Sequence, residues 1–180
     1  SHPANVIACP GETVQFGVAA TGTNPTYRWR KNGSPLSDGG SISGSDTDTL
    51  TISNINSFTA GTYDVVVSGT CAPATSNPAT LTINVEPQIT IEPTNKIVCE
   101  GGSTSFTVNA GSTTSPIYHW QVDDGGGFDT ITAGPYAGFN TNTLIVNPAA
   151  ASMNGYRYRV LVSGACNPPV TSTEVTLTVR

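Results

Sequence analysis

The residues with the most chemistry open to them are four cysteines and two histidines. Cys9, Cys71, Cys99 and Cys166 could ligate zinc, exchange electrons or form disulfides. No two of them stand as Cys-x-x-Cys, the spacing that brings both thiolates to one metal or one reducible bond, so zinc and thioredoxin-type chemistry are disfavoured. An even count in a chain poor in charge fits disulfides in an oxidising, extracellular compartment. His2 stands at the start. His119 lies between Tyr118 and Trp120, where strand alternation turns it to solvent, without neighbours for metal or acid–base work. The acidic clusters are SGSDTD (43–48) and DDGGGFD (123–129). Either could offer carboxylates and carbonyls to Ca²⁺, but neither has EF-hand spacing, and tight turns favour the same Asp and Gly. There is no Gly-x-Ser-x-Gly elbow. These residues point to a protein without catalytic site, metal or cofactor.

The elements that carry them are strands. Of 180 residues, 37% are hydrophobic and only 11% charged, with 19 Gly and 13 Pro, a composition of strands and turns. A net charge of −5 with seven Lys and Arg lacks the basic footprint of a nucleic-acid binder. No apolar run approaches the ~20 residues that would insert in a membrane.

The chain is written twice. CPGETVQFGV (9–18) matches CEGGSTSFTV (99–108), TYRW (26–29) matches IYHW (117–120), and DTLTISN (48–54) matches NTLIVNP (142–148). GTYDVVVSGTC (61–71) matches YRYRVLVSGAC (156–166), and ATLTINV (79–85) matches VTLTVR (175–180). Drift in the offset lies in the loops, so two tandem units are expected, residues 1–86 and 87–180. Apolar residues alternate within each unit: Val14, Phe16, Val18 and Ala20 share one face, as do Leu81, Ile83 and Val85. Period two with Gly, Asn, Asp and Pro between the runs predicts half-buried antiparallel strands. The fold class is all-β, two tandem sandwiches.

The repeated C-x-G, Y-x-W and V-S-G-x-C motifs, with Trp29 eleven residues after Val18 and Tyr63 two before Val65, resemble the immunoglobulin pattern. More narrowly, the units resemble the immunoglobulin-like repeats of large secreted or surface proteins of Bacteroidetes. The resemblance implies an inner strand-B residue, a strand-C Trp and a strand-F tyrosine corner: Val18, Trp29, Tyr63 and Val65, then Val108, Trp120, Tyr158 and Val160. Valines stand where such domains carry a cross-core disulfide, so the cross-links lie elsewhere.

In that fold Cys9 and Cys71 fall at opposite ends of a sandwich, roughly 30 Å apart, whereas a disulfide needs Cα atoms within about 7 Å. Stacking the units end to end brings Cys9 towards Cys166, an inter-domain bond. Cys71 and Cys99 would then meet neighbouring repeats or stay free. Pairing inside each repeat remains open if an F–G loop folds back along its sandwich. The expected role is a non-catalytic structural and adhesive segment of a long bacterial surface or secreted protein. Its partners would be neighbouring repeats, and surface glycans or other cells. The alternative is a carbohydrate- or protein-binding accessory module of a secreted enzyme, with Tyr136 and Phe139 as its ligand loop. Asn32-Gly33-Ser34 is a glycosylation sequon by pattern alone.

Overall fold

The computed structural model describes residues 1–70 and 72–180. Each repeat becomes one unit, Ser1–Asn84 and Val85–Arg180. In the first, the strands are β1 (Val6–Ala8), β2 (Val14–Gly17), β3 (Thr26–Lys31), β4 (Ser34–Pro35), β5 (Ile42–Ser43), β6 (Thr49–Ile52), β7 (Gly61–Ser68), β8 (Ala74–Thr75) and β9 (Ala79–Ile83). One sheet runs β1-β9-β7-β3-β4 with β8 on β7, and the other runs β2-β6-β5. Among the described residues of this unit only β1 pairs in parallel, setting Val6 against Leu81 and Ala8 against Ile83.

The second unit repeats this plan with β10 (Lys96–Val98), β11 (Thr104–Thr107), β12 (Ile117–Asp123), β13 (Phe128–Thr130), β14 (Tyr136–Ala137), β15 (Thr143–Val146), β16 (Arg157–Ser163), β17 (Val170–Thr171) and β18 (Val175–Val179). Its sheets are β10-β18-β16-β12-β13, with β17 on β16, and β11-β15-β14. Again the first strand pairs in parallel with the last.

Alternation fixes the register. Trp29 faces Val65 across β3 and β7, and Trp120 faces Val160 across β12 and β16. All four are fully buried. Phe16 stacks on Tyr63 at 5.0 Å between ring centroids and lies 6.4 Å from Trp29. Phe106 repeats this with Tyr158 at 4.8 Å and Trp120 at 6.4 Å. Each core is thus an aromatic triad within aliphatic walls, each ring pair adding about 0.5–1.5 kcal/mol beyond area burial.

Burial of the expected faces fades at their ends. Val108 is buried, but Val18 and Ala20 lie beyond the end of β2 and are half-buried. Val85 leaves the face of Leu81 and Ile83 altogether and is 40% exposed, because β9 stops at Ile83. The reason lies in the second unit. Val85 N–H donates to Thr114 Oγ1 at 2.8 Å, Thr114 N–H returns a bond to the Val85 carbonyl at 3.1 Å, and Gln88 N–H donates to Thr113 Oγ1 at 3.0 Å. Residues 85 and 86, expected to end the first domain, therefore group with the second.

Candidate functional site

The C-x-G motif is a turn that presents a sulfur at the end of a sandwich. Cys9 follows β1, its N–H donates to Glu12 Oε2 at 2.9 Å, and its carbonyl accepts from Glu12 N–H at 3.3 Å. Gly11 has φ +84°, the left-handed region that side chains disfavour, and its N–H reaches the Ile55 carbonyl at 2.8 Å. In the second unit Gly101 has φ +76°, and its N–H reaches Ala149 at 2.8 Å. Each cysteine stands beside the last residue of its own unit. Asn84 N–H donates to the Ala8 carbonyl, and Arg180 N–H donates to the Val98 carbonyl.

The V-S-G-x-C motif occupies the opposite end. Cys166 is buried, at 2% exposure, in the turn between β16 and β17. Ala165 N–H donates to the Thr114 carbonyl at 2.9 Å, and Thr114 is the residue that grips Val85. The turn holding Cys166 is therefore bonded, through one threonine, to the first residue of its own unit.

Cys9 and Cys166 are both in disulfides, and Cys99 is an exposed free thiol. A Cys99–Cys166 bridge within the second repeat is thereby absent. Cys71 lies outside the described residues.

The loop aromatics point inward. Tyr136 and Phe139 are half-buried against the second core. The Tyr136 ring meets Tyr158 edge-on at 6.0 Å, and their hydroxyls lie 3.2 Å apart. The first unit instead has the expected corner: Tyr63 Oη donates to the Thr59 carbonyl at 2.6 Å. Tyr158 thus spends its hydroxyl on Tyr136 of β14, whereas the implied corner would use a backbone carbonyl. Burial pushes the Tyr63 phenol up to about 12 and raises that of Tyr158 as well, where the bond to Tyr136 adds to the effect.

The polar candidates are similarly occupied. Asp123 is buried, and its Oδ1 accepts from Gly125 N–H at 2.8 Å and Gly127 N–H at 2.9 Å, while Oδ2 pairs with Arg157. The two backbone donors, then Arg157, hold its carboxyl below the usual range. Asp46 pairs with Arg28 at 2.9 Å. His119 is exposed, and His2 Nδ1 accepts from Asn77 N–H at 3.0 Å. Asn32 of the sequon takes φ +49° and accepts from Thr62 N–H at 2.9 Å. Among the described residues, no three His, Cys, Asp or Glu are grouped to hold a metal ion. No helix among them is long and apolar enough to cross a membrane.

Two devices were missed from the sequence, though repetition marks both. Gly44-x-x-Thr47-x-Thr49 and Gly138-x-x-Thr141-x-Thr143 build one turn twice. The Thr47 hydroxyl bonds the carbonyls of Gly44 and Thr49, and Thr141 does the same for Gly138 and Thr143. Ser76 and Ser172 each accept from the N–H of the core valine, Val65 at 3.1 Å and Val160 at 2.9 Å.

Known proteins share this architecture. Residues 1–68 match the family model of the immunoglobulin domain. Over 123 residues the chain is 29% identical to human Roundabout homolog 2, covering 68% of this chain and only 9% of that protein. Among solved structures, the I-band fragment I67-I69 of titin superposes with a TM-score of 0.82 at 19% identity, over 99% of this chain and 63% of that one. The N-terminal eight Ig domains of Down Syndrome Cell Adhesion Molecule give 0.66 at 17% identity, over 96% of this chain and 23% of that one. At such identities the likeness is one of fold. The chain is an all-β protein of two tandem immunoglobulin-like β-sandwiches.

Proposed function

We propose that the chain is a non-catalytic structural and adhesive segment of a long cell-surface or secreted protein, its repeats rigidified by disulfides, with Cys9 bonded to Cys166. The placement of the oxidised cysteines carries this reading. Cys9 stands beside Asn84, the last residue of its unit, and the turn of Cys166 is bonded through Thr114 to Val85, the first residue of the other. Asn84 and Val85 are consecutive, so each half-cystine lies on its own side of the same peptide link. Cys99 takes the position of Cys9 in the second repeat and is a free thiol; its proposed partner is the F–G cysteine of a following repeat. Cys71 is assigned to a preceding one. The resemblance of the doubled motifs to surface repeats of Bacteroidetes supports a bacterial source, and the likeness to a cell adhesion molecule supports an adhesive role outside the cell.

Peptide mapping under non-reducing conditions tests the pairing. A linked peptide containing Cys9 and Cys166 is expected, and a Cys9–Cys71 peptide overturns the reading.

A further inference from the structure

The first unit has a cleft of about 370 Å³ at the end opposite Cys9, walled by Ser1, Val18, Thr23, Pro25, Val67 and Ala74. It opens between the loop that follows β2 and the turn that follows β7. In the second unit the corresponding loops grip a piece of polypeptide: Val85 exchanges two hydrogen bonds with Thr114, and Gln88 binds Thr113 and Ser112. Pro87 between them is buried, close enough that a methyl added at Gly164 would come within 3.6 Å of its Cγ.

The two places correspond at several positions, although the second unit's loop is one residue longer and Gly22 stands where Thr113 does. Asn24-Pro25 and Ser115-Pro116 both follow a threonine, and Asn24 and Ser115 share a left-handed φ of 50° and 52°. Gly69 faces the Thr23 carbonyl as Gly164 faces that of Thr114. Asn5 accepts from Thr80 N–H as Asn95 accepts from Thr176 N–H. Ser1 donates its terminal nitrogen to the Ala19 carbonyl, as Ile91 N–H donates to Asn109. In this register Ser1 corresponds to Ile91, so a segment equivalent to Val85–Thr90 would enter the cleft ahead of Ser1. Thr23, the counterpart of Thr114, is exposed and carries the same hydroxyl.

We infer that this cleft is a receptor for an extended Val-x-Pro strand entering from a neighbouring module of the same kind, bound through Thr23 as the second unit binds Val85 through Thr114. The loop threonine accepts from the entering valine and donates back to it, and the proline fills the apolar floor. The docking rests on the serial-module reading above and gives it a second, non-covalent contact.

The test extends the full chain. Val-Glu-Pro-Gln-Ile-Thr is placed ahead of Ser1, and amide hydrogen exchange is compared with a chain extended by six Gly-Ser residues. Thr23 N–H is expected to exchange about fivefold or more slowly behind the Val-Glu-Pro segment, as one added hydrogen bond requires. The added valine's N–H should be protected, and that protection should vanish in Thr23→Val, which removes the accepting hydroxyl in an exposed loop. Equal exchange of Thr23 in the two chains would overturn the docking. Should equal exchange accompany a mapped Cys9–Cys166 bond, docking falls and the serial reading stands. A Cys9–Cys71 bond removes the serial reading whatever the exchange shows.

Discussion

The indole Nε1 of Trp29 donates to the carbonyl of Thr47 at 2.9 Å, and Trp120 donates to Thr141 at the same distance. A fully buried tryptophan must place its N–H, and each unit solves this with a turn whose threonine locks the accepting carbonyl. The turn is closed by a glycine at positive φ, where a side chain would collide with backbone. A Cβ on Gly44 would sit 2.2 Å from the Thr49 carbonyl oxygen, and one on Gly138 would sit 2.3 Å from that of Thr143.

Gly44→Ala should therefore lower stability by about 2 kcal/mol, combining the φ penalty with displacement of the turn beneath Trp29. Gly17→Ala is the internal comparison, since nothing lies within 4 Å of that position. Thermal unfolding followed by tryptophan fluorescence should show a clear fall in Tm for the first substitution and almost none for the second. Equal effects would remove the turn from its assigned role.

Much of this was legible before any coordinates. Period-two alternation gave Trp29, Tyr63, Val65 and their partners their inward face, and the doubling gave the two units. The polar devices were harder to read. Thr47, Ser76 and Asn5 act through bonds to backbone groups distant in sequence, and hydrophobic period carries no trace of such bonds. The loop aromatics were ambiguous for a related reason. Tyr136 and Phe139 stand in a Gly-rich stretch that fits an exposed ligand loop, yet the short strand β14 turns Tyr136 onto Tyr158, and Phe139 packs against the same core. Val85, which alternation assigns to the preceding strand, groups with the second unit because it exchanges hydrogen bonds with Thr114.

Reduction state supplies a second prediction. If Cys9 is bonded to Cys166, then Cys166→Ser should expose one new alkylatable thiol relative to the unsubstituted chain, and mass spectrometry should locate it at Cys9. Alkylation of Cys99 should be the same in both proteins, because its thiol is already exposed. A new label at any other cysteine would reassign the bond.

A third concerns acid. The Asp123 carboxyl is held below its usual range by Gly125 and Gly127 N–H and by Arg157, so it binds protons more weakly folded than unfolded. Its contribution to stability is present above the ordinary value near 3.8 and is lost as pH falls through the lower folded value. Asp123→Asn should lower the Tm at neutral pH and flatten the Tm profile on its acid side. A parallel drop at every pH would mean that the carboxylate's charge is irrelevant to the loop.

The last prediction lies at the alkaline end and separates the two units. Tyr63 titrates near 10 when unfolded and at about 12 when folded, so the folded state favours its neutral phenol. The stability this gives is complete below pH 10 and disappears as pH rises towards 12. Tyr63→Phe removes both the titration and the bond to the Thr59 carbonyl. It should cost about 1 kcal/mol at neutral pH and reduce the loss of stability between pH 10 and 12. In the second unit Tyr136 shares the interaction, so Tyr136→Phe leaves Tyr158 a partnerless buried hydroxyl, whereas Tyr158→Phe leaves that hydroxyl on Tyr136 at the half-buried margin. Tyr136→Phe should accordingly destabilise at least as much as Tyr158→Phe, read by denaturant unfolding at neutral pH. The reverse order would mean that Tyr158 Oη finds a second acceptor in the core.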